Sequence, residues 1–176
     1  MRRPHLRAFV LPLLAALAAC STSAPSVSAP EVPAALKPPA GQTIYLEALA
    51  TGVQIYECSQ KPDLSYEWAF KAPEASLADR SGHALGKHYG GPTWESSDGS
   101  SVVGEVKARE PSPRSSAIPW LLLSAKKNSG TGVFAATKSI LRAYTVGGVA
   151  PAEACSGANL KQAARVPYTA TYYFYK

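Results

Sequence analysis

The chain has 176 residues, of which 46% are hydrophobic and 17% charged, a composition typical of a globular protein and not of a disordered one. Its formal charge of +6 falls to +3 without Arg2, Arg3 and Arg7. The remaining chain has no basic stripe with interleaved aromatic residues, so nucleic acid is not an expected partner.

The first twenty residues have the pattern of an export signal. Three arginines form a positive segment, and residues 8–19 form an apolar stretch that is too short to span a membrane as a helix. The stretch ends in Leu-Ala-Ala-Cys, which resembles the bacterial lipobox, whose cysteine is acylated and becomes the mature N-terminus. We expect residues 1–20 to be a signal peptide with lipidation at Cys20. The alternative is ordinary cleavage nearby, with Cys20 discarded.

An envelope location follows from this signal. Acyl chains would anchor the protein to a membrane surface, and Ser21 after the cysteine is typical of sorting to the outer membrane, with the domain facing the periplasm. Residues 21–40 contain five prolines among serines and alanines, a composition that predicts an extended spacer without a folded core. We expect residues 41–176 to form the folded domain.

Short segments with a period of two fill that domain. Residues 43–50 and 52–58 alternate on either side of Thr51-Gly52, which predicts a hairpin with its turn at the glycine. Further strands are predicted, in chain order, at residues 66–71, 75–79, 83–89, 93–97, 101–109, 118–125 and 168–175.

Three details refine this pattern. Asp98-Gly99 predicts a type I′ hairpin turn, since both of its central positions need positive φ. Residues 118–125 are the most apolar run and predict a buried central strand with Pro119 at its start. Residues 133–143 fit either a short helix or a strand. Together these segments predict an all-β domain, a single antiparallel sandwich or barrel with room for one short helix.

Two cysteines remain once Cys20 is assigned to the anchor. Cys58 and Cys155 would lie in the oxidising compartment that an export signal implies. We therefore expect a disulfide between them, with two free thiols as the alternative.

Metal and cofactor chemistry find little support. A spacing of five places His83 and His88 on opposite faces of one strand, so they cannot share a metal without a bulge. No pair of ligands has a recognised zinc spacing. We expect no metal and no cofactor, with His83 in a turn and His88 hydrogen-bonded within the fold.

Two enzymatic interpretations stay open as alternatives. A hydrolase could use His88 with Glu95 or Asp98 as base and orienting acid, although the G-x-S-x-G elbow is absent. An NAD-dependent oxidoreductase is the weakest alternative. Residues 130–135 fit G-x-G-x-x-A, with Glu153 about twenty residues further on, but strand and helix units do not alternate around them. A glycine-rich hairpin loop is the preferred interpretation.

The candidate ligand-binding residues are His88, Tyr89, Trp94 and Glu95, which surround the Gly90-Gly91-Pro92 turn. Aromatic side chains beside a carboxylate on a rigid turn are typical of a pocket for a small molecule or glycan. Packing in the core is the alternative. We expect an exported, lipid-anchored protein that binds a small ligand, glycan or envelope partner rather than an enzyme.

Four stretches carry a family resemblance: GVQIYEC at 52–58, HYGGPTWE at 88–95, IPWLLL at 118–123 and VPYTATYYFY at 166–175. Together they resemble an uncharacterised domain-of-unknown-function family of exported bacterial proteins. That family also has fungal and plant members, some labelled malate dehydrogenase-like. The resemblance runs from about Leu36 to Tyr175. It implies one domain of that family and brings no catalytic residues with it.

Overall fold

The computed structural model describes residues 27–176, so the predicted signal peptide and Cys20 lie outside the described residues. Two 3₁₀ turns, Ala34–Leu36 and Gly157–Asn159, are the only helical segments within that range. The strands are β1 (Ile44–Gln60), β2 (Tyr66–Ala78), β3 (Ala84–Tyr89), β4 (Thr93–Ser96), β5 (Ser101–Glu110), β6 (Trp120–Ser129), β7 (Ser139–Gly147) and β8 (Ala163–Tyr175).

The eight strands form one closed antiparallel barrel. Each strand pairs with the next along the chain, and β8 returns to pair with β1. The predicted all-β antiparallel fold is confirmed, and the barrel is the form that it takes. No helix of residues 27–176 is long and apolar enough to cross a membrane.

β1 differs from its prediction. The expected hairpin at Thr51-Gly52 is wrong, because β1 runs without interruption past this point and pairs with β2 and β8 on its two sides. Gly52 lies opposite Ala75, and a Cβ at Gly52 would lie only 2.0 Å from the carbonyl oxygen of Glu74. The glycine therefore permits close approach of two strands instead of marking a turn.

The remaining differences concern segment type. Residues 66–71 and 75–79 belong to one strand, β2, and the undecided segment 133–143 is a turn followed by the start of β7. The hairpin at Asp98-Gly99 is present, but it is not type I′. Gly99 has a φ of +83°, whereas Asp98 is not among the residues with positive φ.

Two apolar clusters lie on the two faces of the barrel wall. The inner cluster fills much of the barrel and includes Trp94, Leu123, Phe134, Tyr172 and Phe174. The outer cluster packs the N-terminal segment against β6, β7 and β8, and its members include Leu36, Trp120, Leu122, Leu141, Tyr173 and Tyr175. Leu36 is fully buried, so residues 34–36, within the expected 21–40 spacer, pack on an outer face of the barrel.

The predicted disulfide between Cys58 and Cys155 is confirmed, with an S–S distance of 2.01 Å. It joins the end of β1 to the segment between β7 and β8, and 97 residues separate its cysteines. The cross-link holds this segment at one end of the barrel.

Loop 130–138 closes the opposite end of the barrel. Its Phe134 is fully buried and packs on the aromatic residues of β8. The β4–β5 turn holds the loop, because Asp98 Oδ2 accepts a hydrogen bond from Val133 N at 2.7 Å and Ser100 Oγ accepts one from Phe134 N at 3.0 Å. The hydrogen bonds from Ser100 and Val133 lower the pKa of Asp98 to about 2.

Candidate functional site

The β3–β4 hairpin carries the four candidate residues but divides them between two faces. In its register His88 lies opposite Trp94, and Lys87 lies opposite Glu95. Because side chains alternate along a strand, His88 and Trp94 point into the barrel while Tyr89 and Glu95 lie on its outer surface. The four predicted residues therefore do not share one face of the barrel wall, and only the inward pair can line an internal site.

The outward pair forms a surface contact. The Tyr89 hydroxyl donates to Glu95 Oε2 at 2.6 Å, and Lys87 Nζ lies 3.0 Å from Glu95 Oε1. The Tyr89 hydrogen bond, followed by that of Lys87, lowers the pKa of the Glu95 carboxyl. Exposed pairs of this kind contribute little to stability. The contacts among Lys87, Tyr89 and Glu95 are therefore ordinary surface contacts on the outer side of the β3–β4 hairpin.

His88 is enclosed in the core, with 2% of its surface exposed. It stacks on Trp94 at a ring-centroid distance of 4.3 Å, and Tyr172 lies edge-on to it at 5.0 Å. Nδ1 lies 2.8 Å from the Thr93 carbonyl oxygen, which makes Nδ1 the protonated nitrogen and leaves Nε2 as an acceptor. Burial lowers the pKa of His88 to about 3, so its imidazole is neutral at neutral pH.

Neither enzymatic alternative is assembled around His88 or the glycine motif. Within residues 27–176 no carboxylate is hydrogen-bonded to His88; Glu95 is on the outer face, and Asp98 is engaged by Ser100 and the 130–138 loop. The G-x-G-x-x-A segment is the loop between β6 and β7, with no helix behind it. It therefore lacks the strand–turn–helix unit that binds a pyrophosphate.

His83 lies in the turn before β3, where its Nδ1 is 3.1 Å from Asp79 Oδ2. His88 points into the barrel and His83 lies just before the strand, so the two histidines are apart, although not on opposite faces of one strand. In the described part of the chain, no group of three or more histidine, cysteine or acidic residues is placed to hold a metal ion.

The inward pair lines a cavity of about 420 Å³ within the barrel. β1, β2, β5 and β6 each contribute two or three residues to its wall, and the other four strands contribute one each. The lining consists of Gln54, Tyr56, Phe70, Lys71, Pro73, His88, Gly91, Pro92, Trp94, Val106, Arg109, Ile118, Pro119, Leu121, Leu123, Arg142 and Tyr172.

The barrel wall is incomplete beside this cavity. The β3–β4 hairpin is short, so β3 pairs with only the last part of β2, and β4 pairs with only the first part of β5. Residues 66–74 of β2 and 105–110 of β5 therefore border a gap. Phe70 and Val106 lie on its two sides, 53% and 43% exposed, and both line the cavity. The cavity thus opens to solvent between β2 and β5, with an apolar rim.

Pro73 fits this arrangement. It lies in the part of β2 that has a strand partner only in β1. A proline has no N–H to donate and is found mainly in edge strands. Pro73 is therefore consistent with a β2 edge that has no strand partner beside the gap.

Eight of the seventeen described residues that line the cavity carry a polar side-chain group, and all of these groups can donate a hydrogen bond. Gln54 Nε2 and Trp94 Nε1 are buried and have no hydrogen-bond partner in the described structure. Arg142 Nε and Nη2 donate to the Pro119 carbonyl oxygen at 3.1 and 2.8 Å. Buried donors normally have partners, so these two groups mark a part of the cavity wall whose hydrogen-bonding capacity is not fully met by the residues around it.

The sequence interpretation did not include Gln54, Arg142 or Tyr172 in the site. Arg142 pairs with Leu121 on one side and Tyr172 on the other, and all three line the cavity. A charged residue in phase with the inward-facing Ile140 is a usable signal. It could not be read while residues 133–143 fitted a helix equally well.

Comparison with known proteins gives a family and no function. Neither the curated proteins nor the solved structures include a match to this chain. One family model matches residues 39–176, which contain every strand of the barrel and the whole cavity lining. The chain therefore belongs to the family described as Protein of unknown function (DUF3455).

Proposed function

We propose that this protein is an exported, lipid-anchored cell-envelope protein whose barrel binds one small, largely apolar molecule. The cavity of about 420 Å³ is the observation that carries the proposal. Its volume falls within the range of roughly 300–1,000 Å³ that is usual for small-molecule sites. Eight-stranded barrels are wide enough to hold one small ligand.

The lining has the composition of such a site. Leu121, Leu123, Ile118 and Phe70 supply apolar surface, and a few polar groups stand among them. Ligand sites usually combine a predominantly apolar wall with a small number of polar groups that fix orientation. The gap between β2 and β5 gives the ligand a path to the cavity.

The envelope location rests on the sequence and on the cysteines. A signal with a lipobox precedes the domain, and the disulfide between Cys58 and Cys155 suits an oxidising compartment outside the cytoplasm. An outer-membrane anchor facing the periplasm would place the barrel where small envelope molecules are available.

We expect the purified barrel to bind decanol or decanoate, measured by isothermal titration calorimetry. Burial of an apolar chain should give a negative heat-capacity change of binding. Leu121→Trp places an indole in the cavity and should reduce affinity at least tenfold. Leu49→Trp is the matched control, since Leu49 is 38% exposed on β1 and lies outside the cavity lining.

Two results would contradict the proposal. One is the absence of binding for both probes. The other is binding that survives unchanged in Leu121→Trp while that variant keeps the thermal unfolding profile of a folded barrel. A sugar that binds where both probes fail would overturn the assignment of an apolar ligand.

Cys20→Ala should release the protein from the membrane. Without the acylated cysteine, the apolar segment at 8–19 is too short to span a bilayer as a helix. We expect the native protein in the membrane fraction with a diacylated or triacylated N-terminal peptide in mass spectrometry, and the variant without lipid. An unmodified mature N-terminus beyond Cys20 in the native protein would end the lipoprotein proposal.

A further inference from the structure

We infer that the cavity takes an amphipathic molecule with a carboxylate head group, which Arg142 binds inside the barrel. This inference rests on the proposed function, because it specifies the ligand of the same cavity. Four observations support it: the position of Arg142, its unused donors, the absence of an acidic partner, and the neighbouring donors.

Arg142 lies on the inner wall of the barrel. It is in the middle of β7, opposite Leu121 of β6 and Tyr172 of β8, and all three line the cavity. Its positive charge acts on the interior, since it opposes protonation of His88 and lowers the pKa of Tyr172 against the larger effect of burial. The guanidinium therefore belongs to the cavity and not to the outer surface.

The hydrogen bonds of Arg142 to Pro119 and its interaction with Tyr172 leave part of its donor capacity unused. A guanidinium carries five N–H donors in a planar fork. Nε and Nη2 both donate to the Pro119 carbonyl oxygen, a contact that fixes the side chain in place without neutralising it. The remaining donors suit a carboxylate, which a guanidinium binds with well-defined geometry.

No protein carboxylate neutralises Arg142. It takes part in none of the ion pairs among residues 27–176, and none of the described residues that line the cavity is acidic. The other two cations of the lining differ from it. Lys71 Nζ lies 3.5 Å from Glu57 Oε1, and Arg109 is exposed near the gap. A cation beside an apolar cavity is stabilised by a counter-charge, which an anionic ligand would supply.

The neighbouring polar groups also favour an acceptor. Gln54 Nε2 and Trp94 Nε1 are unpartnered donors, on side chains that are 2% and 1% exposed. A carboxylate accepts several hydrogen bonds and donates none. A cationic ligand would instead meet Arg142 with like charge.

The first test uses the native barrel. Decanoate, decanol and decylamine share one apolar chain and differ in head-group charge. We expect decanoate to bind at least tenfold more tightly than decanol, and decylamine to bind more weakly than decanol. Equal affinity for the acid and the alcohol would overturn the inference while leaving the proposed function intact. Failure of all three probes would remove the proposed function itself.

The second test uses variants. Arg142→Gln should lower decanoate affinity at least tenfold and leave decanol affinity unchanged, which also reports an intact cavity. Arg142→Lys keeps the positive charge but loses the planar set of N–H donors. Its decanoate affinity should lie between those of the native protein and Arg142→Gln. Arg109→Gln is the control at the gap and should keep the preference for the acid. A preference for decanoate that persists in Arg142→Gln, or that is lost only in Arg109→Gln, would overturn the assignment of Arg142.

Discussion

Removal of the disulfide is expected to lower the free energy of unfolding by about 4–5 kcal/mol, because a cross-link over a loop of this length strongly restricts the unfolded chain. Cys58 and Cys155 are 97 residues apart in sequence, and the bond between them spans β2 to β7. A loss of this size is a large part of the stability of a small domain.

Urea unfolding with and without a reductant measures this loss. Cys58→Ala combined with Cys155→Ala is the matched control, since reductant should not change the stability of a barrel without the bond. The expectation fails if reductant lowers the free energy of unfolding of the native protein by less than about 1 kcal/mol. It also fails if reductant lowers that of the double variant by the same amount.

Acid is expected to destabilise the barrel through His88. The pKa of this imidazole is about 3 in the fold, against an ordinary value of 6.5, because burial disfavours its charged form. Between these values the unfolded chain binds a proton that the folded chain does not, so stability is complete above pH 6.5 and falls as the pH drops. The slope approaches about 1.4 kcal/mol per pH unit, or about 2 kcal/mol between pH 6.5 and 5.

The surroundings of His88 explain why its pKa is lowered. Arg142 adds a like charge to the effect of burial, and Trp94 and Tyr172 enclose the ring, while only the Thr93 carbonyl favours the protonated form. Denaturant unfolding at pH 7, 6 and 5 avoids most of the carboxyl titration, which occurs near pH 4 in unfolded chains. His88→Gln should flatten this dependence, and His83→Gln, at an exposed turn position, should keep it. A native slope that persists in His88→Gln would contradict the buried, neutral histidine.

The strand pattern of the fold was accessible from the sequence because alternation and turn residues are local signals. Asp98-Gly99 marks a hairpin, and the run at 118–125 marks a buried strand. The continuity of β1 could not be predicted from the sequence. Gly52 is required by the close approach of Ala75 on the neighbouring strand, and not by a turn among its own sequence neighbours. The packing of Leu36 was equally hidden, because a distant outer face receives it.

The candidate site was predictable in part. The same period of two that separates His83 from His88 also separates His88 from Tyr89, and Trp94 from Glu95, so the split of the four residues follows from a local rule. The inward direction of His88 and Trp94 needs the closure of the barrel. The position of Arg142 at the cavity is harder still to predict. It depends on the pairing of β7 with β6 and β8 and on the gap between β2 and β5.

The two halves of the barrel interior differ in how they are filled. One end is filled by Phe134 and tied by Asp98, while the other half retains a cavity beside an incomplete wall. A fold that needed only a core would gain from filling this space with apolar side chains. The presence of Arg142 and Gln54 there is what the proposed ligand would explain and what packing alone does not.

The indole N–H signals in a nitrogen–proton correlation spectrum test ligand binding inside the barrel most directly. The chain has three tryptophans. Trp94 lines the cavity, Trp68 Nε1 donates to the Glu153 carbonyl oxygen, and Trp120 lies in the outer cluster. Saturation with decanoate should shift the Trp94 signal and leave the signals of Trp68 and Trp120 in place. A shift confined to Trp68 or Trp120, or an unmoved Trp94 signal at saturation, would contradict a ligand in this cavity.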